Sequence, residues 1–191
     1  MKILLAVLAL GAASTPLNDA RHQAFIQTTD PPPSAAFPMV DRPMTAGFAV
    51  SGKREIDTII LHSSYDPVGK DPYSVRGVVR GYERYGVSAH YLIDRAGAIY
   101  RLVPEKNVSY HAGASRMPDG RTNVNRFSLG IEIMNKKDDS YTPAQYAAAR
   151  YLISRLKGQY PIRYVLGHNK IAPDRKSDPW NFNWNTLRSP A

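Results

Sequence analysis

Ile56-Asp57-Thr58-Ile59-Ile60-Leu61-His62 marks the change of pattern that decides the fold. Its apolar and β-branched residues read as a strand with an imidazole at the end. Ile162-Arg163-Tyr164-Val165-Leu166, ahead of Gly167-His168, repeats the arrangement far along the chain. Strands and helices alternate between the two. Val75, Val78, Val79 and Tyr82 recur at i, i+3, i+4 and i+7 after Asp71-Pro72, which gives a helix one apolar stripe, and Gly86 ends it. His90–Asp94 and Ala98–Val103 form a hairpin around Ala96-Gly97. Phe127–Met134 is a further apolar run, interrupted by Gly130 and Glu132. Thr142-Pro143 opens a second helix, with Thr142 as N-cap and Gln145 completing a capping box. Tyr146, Ala149, Leu152, Ile153 and Leu156 mark its buried face. Strands interleaved with helices predict an α/β single domain, a mixed central β-sheet flanked by α-helices.

Ahead of Ile56 the chain reads differently. Met1-Lys2, the apolar run Ile3–Gly11 and the small residues Ala12-Ala13-Ser14 have the pattern of a secretory signal peptide over residues 1–14. Residues 15–52 are proline-rich, with Pro31-Pro32-Pro33 among them, and read as an extended lead-in that partly wraps the domain. The catalytic domain is then expected over residues 53–188. Spanning a bilayer takes about 20 apolar residues, and no run in the chain reaches that length. The expected location is outside the cytoplasm, periplasmic or extracellular.

The formal net charge is +9, which favours anionic partners. The basic residues are scattered, and no nucleic-acid motif accompanies them, so nucleic acid is not an expected partner. The chain has no cysteine, which excludes a disulfide framework, a thiolate nucleophile and a cysteine zinc cluster. Any zinc ligands must therefore be His, Asp or Glu.

His62 and His168 each sit at a strand end, and if the two strands are neighbours both imidazoles emerge at one rim. After His168, Pro173 and Pro179 break helical continuity, and the turn-rich segment can fold back to bring Asp178 near. Three protein ligands with one position left for water is the usual catalytic zinc arrangement. Equally, a histidine at a strand end is often an ordinary structural residue. Metal-assisted hydrolysis also needs a base and a cation for the developing oxyanion. Glu132, a carboxylate in an apolar strand where burial is costly without a partner, is the candidate base. Lys176, two residues from Asp178, is the candidate cation. The long polar loop Pro104–Arg126 carries His111 and is long enough to be functional.

Five segments together resemble the zinc N-acetylmuramoyl-L-alanine amidases of the amidase-2 group, which includes phage T7-type lysozymes and peptidoglycan recognition proteins. They are Ile59–Ser64, Val87–Ile93, Tyr110-His111-Ala112-Gly113, Phe127–Ile133 and Gly167-His168 through Asp178-Pro179. The resemblance implies one zinc ion bound by His62, His168 and Asp178, with Glu132 and Lys176 catalytic. It implies that His111, Tyr110, Ala112 and Asn125 lie along the substrate and that His90 is structural or a support behind the metal ligands. The implied activity is hydrolysis of the amide between N-acetylmuramic acid and the L-alanine of the stem peptide, in cell-wall turnover or degradation, by a monomer acting on peptidoglycan or muropeptides. Trp180 stands where many relatives have glycine, and Tyr110 where many have tryptophan. A different class, a non-catalytic peptidoglycan-binding protein on the same fold, is the alternative. The complete set His62, His168, Asp178, Glu132 and Lys176 favours the enzyme.

Overall fold

The computed structural model describes residues 37–189. The expected signal peptide over residues 1–14 and Pro31–Pro33 lie outside the described residues. Strand β3, Thr58–Ser64, is buried along nearly its whole length and forms the spine of the sheet. Its neighbours are β7, Ser128–Met134, and β8, Tyr164–Gly167, both parallel to it. Strands β4, Tyr91–Ile93, and β5, Ile99–Arg101, are the expected antiparallel hairpin, and β4 runs parallel to β7. Strand β1, Met39–Asp41, adds in parallel to β5 and completes the order β1-β5-β4-β7-β3-β8. The sheet is mixed, and parallel neighbours so far apart in sequence require the helical crossovers that the alternation predicts. A second pairing joins β2, Phe48–Ala49, to β6, Val108–Ser109. Part of the proline-rich lead-in therefore belongs to the folded domain.

Helix α1 spans Val75–Tyr85 and helix α2 spans Pro143–Gln159. Helix α1 begins three residues later than Asp71-Pro72 suggests. Ser74 accepts a hydrogen bond from the Gly77 N–H and is the N-cap, while Gly86 ends the helix in the left-handed region at φ 64°. Helix α2 carries the full capping box between Thr142 and Gln145.

Side chains alternate along a strand, so each strand of this sheet serves two layers. Ile59 and Leu61 of β3, with Leu129, Ile131 and Ile133 of β7, pack against Tyr146, Ala149, Leu152 and Leu156 of α2. Ile60 points the other way, into a cluster with Ala112, Met117, Val124 and Ile171. Leu92 and Leu102 pack with Val78 and Val79 of α1. No helix among the described residues is long and apolar enough to cross a membrane.

Candidate active site

Strand register builds the site. Leu61 pairs with Gly167, so His62 and His168 leave the sheet one step later on adjacent strands. His62 in turn pairs with Glu132 on β7. Three chemically active side chains thus come from three neighbouring strands at one level. His168 opens the short helix α3, His168–Ile171, and the chain after it turns back. The Asn169 N–H donates to the Asp178 carbonyl at 2.8 Å, which ties the start of this excursion to its end.

Three atoms then converge. His62 Nδ1 lies 3.0 Å from His168 Nδ1, and Asp178 Oδ2 lies 3.3 Å from the first and 3.2 Å from the second. All three residues are buried. Donors held at 2.0–2.2 Å around a tetrahedral ion stand about 3.3–3.5 Å apart, so the triangle has nearly the size that zinc requires. Its donor types, two imidazoles and a carboxylate, are zinc ligands.

The hydrogen bonds around the triangle decide which nitrogens face inward. His168 Nε2–H donates to the Ala112 carbonyl at 3.1 Å, so the neutral ring carries its lone pair on Nδ1. His62 is fixed through a longer chain. The Ser128 hydroxyl donates to the Val124 carbonyl at 2.7 Å and therefore accepts from His111 Nε2–H at 3.1 Å. His111 Nδ1 then accepts from His62 Nε2–H at 3.0 Å, which leaves the His62 Nδ1 lone pair facing the other two donors. Both imidazoles are held in the tautomer that a metal needs, His168 by a backbone carbonyl of the kind that commonly orients ligating histidines and His62 by a third imidazole. The donor set and its surroundings fit a zinc ion.

Electrostatics agree with that chemistry. Burial lowers the His62 pKa to about 4 against the opposing bond from Asp178, and burial with the neighbouring imidazoles drives His111 well below its usual value. Both rings are neutral at pH 7. Burial alone would raise the Asp178 carboxyl, but its bonds with His168 and His62 outweigh this and hold it far below the usual carboxylate range. Glu132 moves the opposite way. Burial, then repulsion from Asp178, pushes it up to about 8, while Ser64, Lys176 and Tyr82 oppose the shift. Its Oε2 is buried without a hydrogen-bond partner. Lys176 lies near enough to act electrostatically on both Glu132 and His62. Its N–H is anchored on the Ala172 carbonyl at 2.8 Å.

The structure places the loop residues as follows. His111 is buried beneath His62, with its ring in the space above Gly130, where a Cβ would lie 2.5 Å from the ring. Asn125 Oδ1 accepts from the backbone N–H groups of His111 and Ala112 and fixes their turn. Ala112 is buried and acts through its carbonyl, whereas Tyr110 is 41% exposed. His90 is fully buried; its Nδ1 accepts from Gly130 N–H, and Nε2 points to the Asn107 carbonyl. Sequence reasoning missed Ser128, Arg54 and Arg175. Arg54 bonds the carbonyls of Asn107 and Ser128. Arg175 clamps the carbonyls of Ala112 and Ala114 at 2.8 and 2.7 Å. A hydroxyl in an otherwise apolar strand was a usable signal for Ser128. The arginines read as ordinary surface charge.

Residues 52–181 match the family model described as N-acetylmuramoyl-L-alanine amidase. Over 112 residues the chain is 39% identical to the 1,6-anhydro-N-acetylmuramyl-L-alanine amidase AmpD of Citrobacter freundii, which covers 57% of this chain and 59% of the relative. The match thus spans less than two thirds of that relative's length. Among solved structures, a selenomethionine derivative of AmpD superposes with a TM-score of 0.67 at 30% identity, covering 78% of this chain and 92% of the other. The complex of AmiD from E. coli with anhydro-N-acetylmuramic acid-L-Ala-D-gamma-Glu-L-Lys superposes with a TM-score of 0.61 at 30% identity, covering 69% and 56%.

Proposed function

Because the chain belongs to the N-acetylmuramoyl-L-alanine amidase family, we propose that it hydrolyses the amide joining the lactyl group of N-acetylmuramic acid to the L-alanine of the stem peptide, with one zinc ion held by His62, His168 and Asp178. The observation that carries this reading is the triangle of His62 Nδ1, His168 Nδ1 and Asp178 Oδ2, with Glu132 on the adjoining strand. The names of the relatives support 1,6-anhydro-muropeptides as substrates.

When bound, the ion supplies Lewis acidity to the scissile carbonyl and lowers the pKa of the attacking water towards about 7. Glu132 accepts a proton from that water and returns it to the departing amine. Burial and Asp178 raise the pKa of its carboxyl in the metal-free site, and a bound cation would draw it back to the ionised form that a base needs. Lys176 steadies negative charge on the tetrahedral oxygen. Tyr110 and Asn125 border the reacting amide, while Ala112, fully buried, orients His168 through its carbonyl and His111 orients His62. Met1–Ser14 supports export of the enzyme, to be checked by N-terminal sequencing of the mature protein.

The deciding experiment incubates purified protein with anhydro-muramyl tripeptide and follows free tripeptide by mass spectrometry. Cleavage is expected, lost on chelation and restored by zinc. Binding of the muropeptide without release of tripeptide, in zinc-loaded protein, would replace the enzyme by a recognition protein. Undiminished cleavage by metal-free protein would remove the ion from the reaction.

A further inference from the structure

Two aromatic side chains at the rim of the site serve no core. Tyr65 follows directly on the end of β3, and Trp180 follows the Asp178-Pro179 pair. Their rings meet edge to face, with centroids 6.1 Å apart and planes at 67°. Both are partly exposed. Phe182 and Trp184, further along the same segment, pack against the main core, whereas neither Tyr65 nor Trp180 joins any of the three core clusters.

The pair is nevertheless held firmly. The Trp180 N–H donates to Ser63 Oγ at 2.9 Å, next to His62. The indole N–H donates to Ser177 Oγ at 3.0 Å, so the polar atom of the ring is already satisfied. Asn181 Nδ2 donates to the carbonyls of Lys137 and Asp139, at 2.7 and 2.9 Å, which pins the segment to the loop after β7. Lys137 Nζ stands over one face of the indole, 5.7 Å from its centroid, so a ligand ring would stack on the opposite face. A rigid aromatic surface whose hydrogen-bonding edge is occupied offers a ligand its flat apolar face.

The other wall of the site has a different chemistry. Beyond Ala112, whose carbonyl accepts from His168 Nε2–H, lies a groove of about 620 Å³ whose lining includes Arg116, Lys170, Arg175 and Asp174. Three cations against one carboxylate leave it net positive, which suits a carboxylate-bearing peptide. A pyranose ring, with an apolar face of C–H groups and few charges, suits the aromatic pair.

We propose that Trp180, backed by Tyr65, is a stacking platform for the muramyl sugar ring and makes the enzyme prefer substrates that carry it. This rests on the amidase reading above. The test compares two substrates: an anhydro-muramyl tripeptide, and the D-lactoyl tripeptide that keeps the scissile amide but lacks the pyranose. For the muramyl substrate, Trp180→Ala is expected to raise KM about tenfold with kcat within twofold, the loss of one aromatic contact. Its kinetics on the lactoyl peptide should stay at the parent's values, and Trp180→Phe should recover most of the loss. An equal change on both substrates, or none on either, overturns the platform. Tyr65→Leu provides a second variant, with a smaller loss in the same substrate-selective direction. Titration with N-acetylmuramic acid gives a readout independent of turnover. Tryptophan fluorescence should respond in the parent and in Trp184→Phe but not in Trp180→Phe; a response that survives in Trp180→Phe overturns the proposal. Parent protein that cleaves neither substrate would refute the amidase reading, while the titration would still decide the platform.

Discussion

Removing the His111 imidazole tests how the metal cage is aimed. His111 takes no place in the triangle, yet it receives the Nε2–H of His62 at 3.0 Å and passes its own Nε2–H to Ser128. In His111→Ala the His62 N–H, in a residue only 2% exposed, loses its acceptor. An unmade hydrogen bond in such a place costs about 1–3 kcal/mol. His62 can then recover a partner only by turning its ring or moving its proton to Nδ1, the atom that faces Asp178 and His168. Loss of an orienting partner of this kind lowers metal affinity about 10–100-fold, or about 1.4–2.7 kcal/mol. His111→Ala should therefore weaken zinc binding by that factor. Ser128→Ala, one bond further out, should weaken it by about tenfold or less. The assay is competition for zinc against a chromophoric chelator, with thermal melts of each variant to confirm folding. Long-range nitrogen–proton NMR of the imidazoles would report the His62 tautomer directly. Folded His111→Ala that binds zinc as tightly as the parent would refute the reasoning. So would a larger effect from Ser128→Ala than from His111→Ala, because the chain would then not run through the imidazole.

Glu132→Gln should retain zinc and lose about 10²–10⁴ in kcat, read by single-turnover release of stem peptide. In metal-free parent protein the folded Glu132 keeps its proton up to about pH 8, while the unfolded chain loses it near its ordinary value of 4.5. The folded state binds the extra proton across that window, so the Glu132 contribution to stability falls as pH rises through it, while the buried neutral His62 and His111 contribute a rise over its acidic part. The difference between parent and Glu132→Gln in urea melts at pH 5 and pH 8 isolates the fall. Lys176→Ala should bind zinc normally and lose about 10²–10³ in kcat; near-parental turnover would remove it from the mechanism. Gly130→Ala should displace His111, because the new Cβ would meet the ring at 2.5 Å. An overpacking cost of about 1–3 kcal/mol in thermal stability should accompany weaker zinc binding.

Much of this was legible in the sequence, for identifiable reasons. The strands ending at His62 and His168 announce themselves by β-branched runs, and the resemblance of five ordered segments directs attention to Asp178, Glu132 and Lys176. Thr142 and Gln145 mark the start of α2 because capping is a local interaction. Other features depend on registers that no short window contains. The pairing of Leu61 with Gly167 and of His62 with Glu132 is set by the whole sheet. The direction of His111 follows from Gly130, which comes beneath it only after β7 and the long loop are packed together. The sequence places His111 on a functional loop, and the fold adds that it is buried beneath His62. Strand β1 was hidden for a similar reason. It is three residues long, sits close to prolines, and pairs with β5 sixty positions away.

That short strand has a practical consequence. Met39–Asp41 covers the open border of β5, Asp41 grips Arg101 through two bonds of 2.6 and 2.9 Å, and Met44 reaches into the interior. A version trimmed to begin at residue 53 would uncover a row of backbone donors and acceptors on β5, together with the apolar hollow left by Met44. Bare borders of this sort recruit other chains. Such a shortened protein should clump during purification, and the cause would lie apart from the His62, His168 and Asp178 triangle.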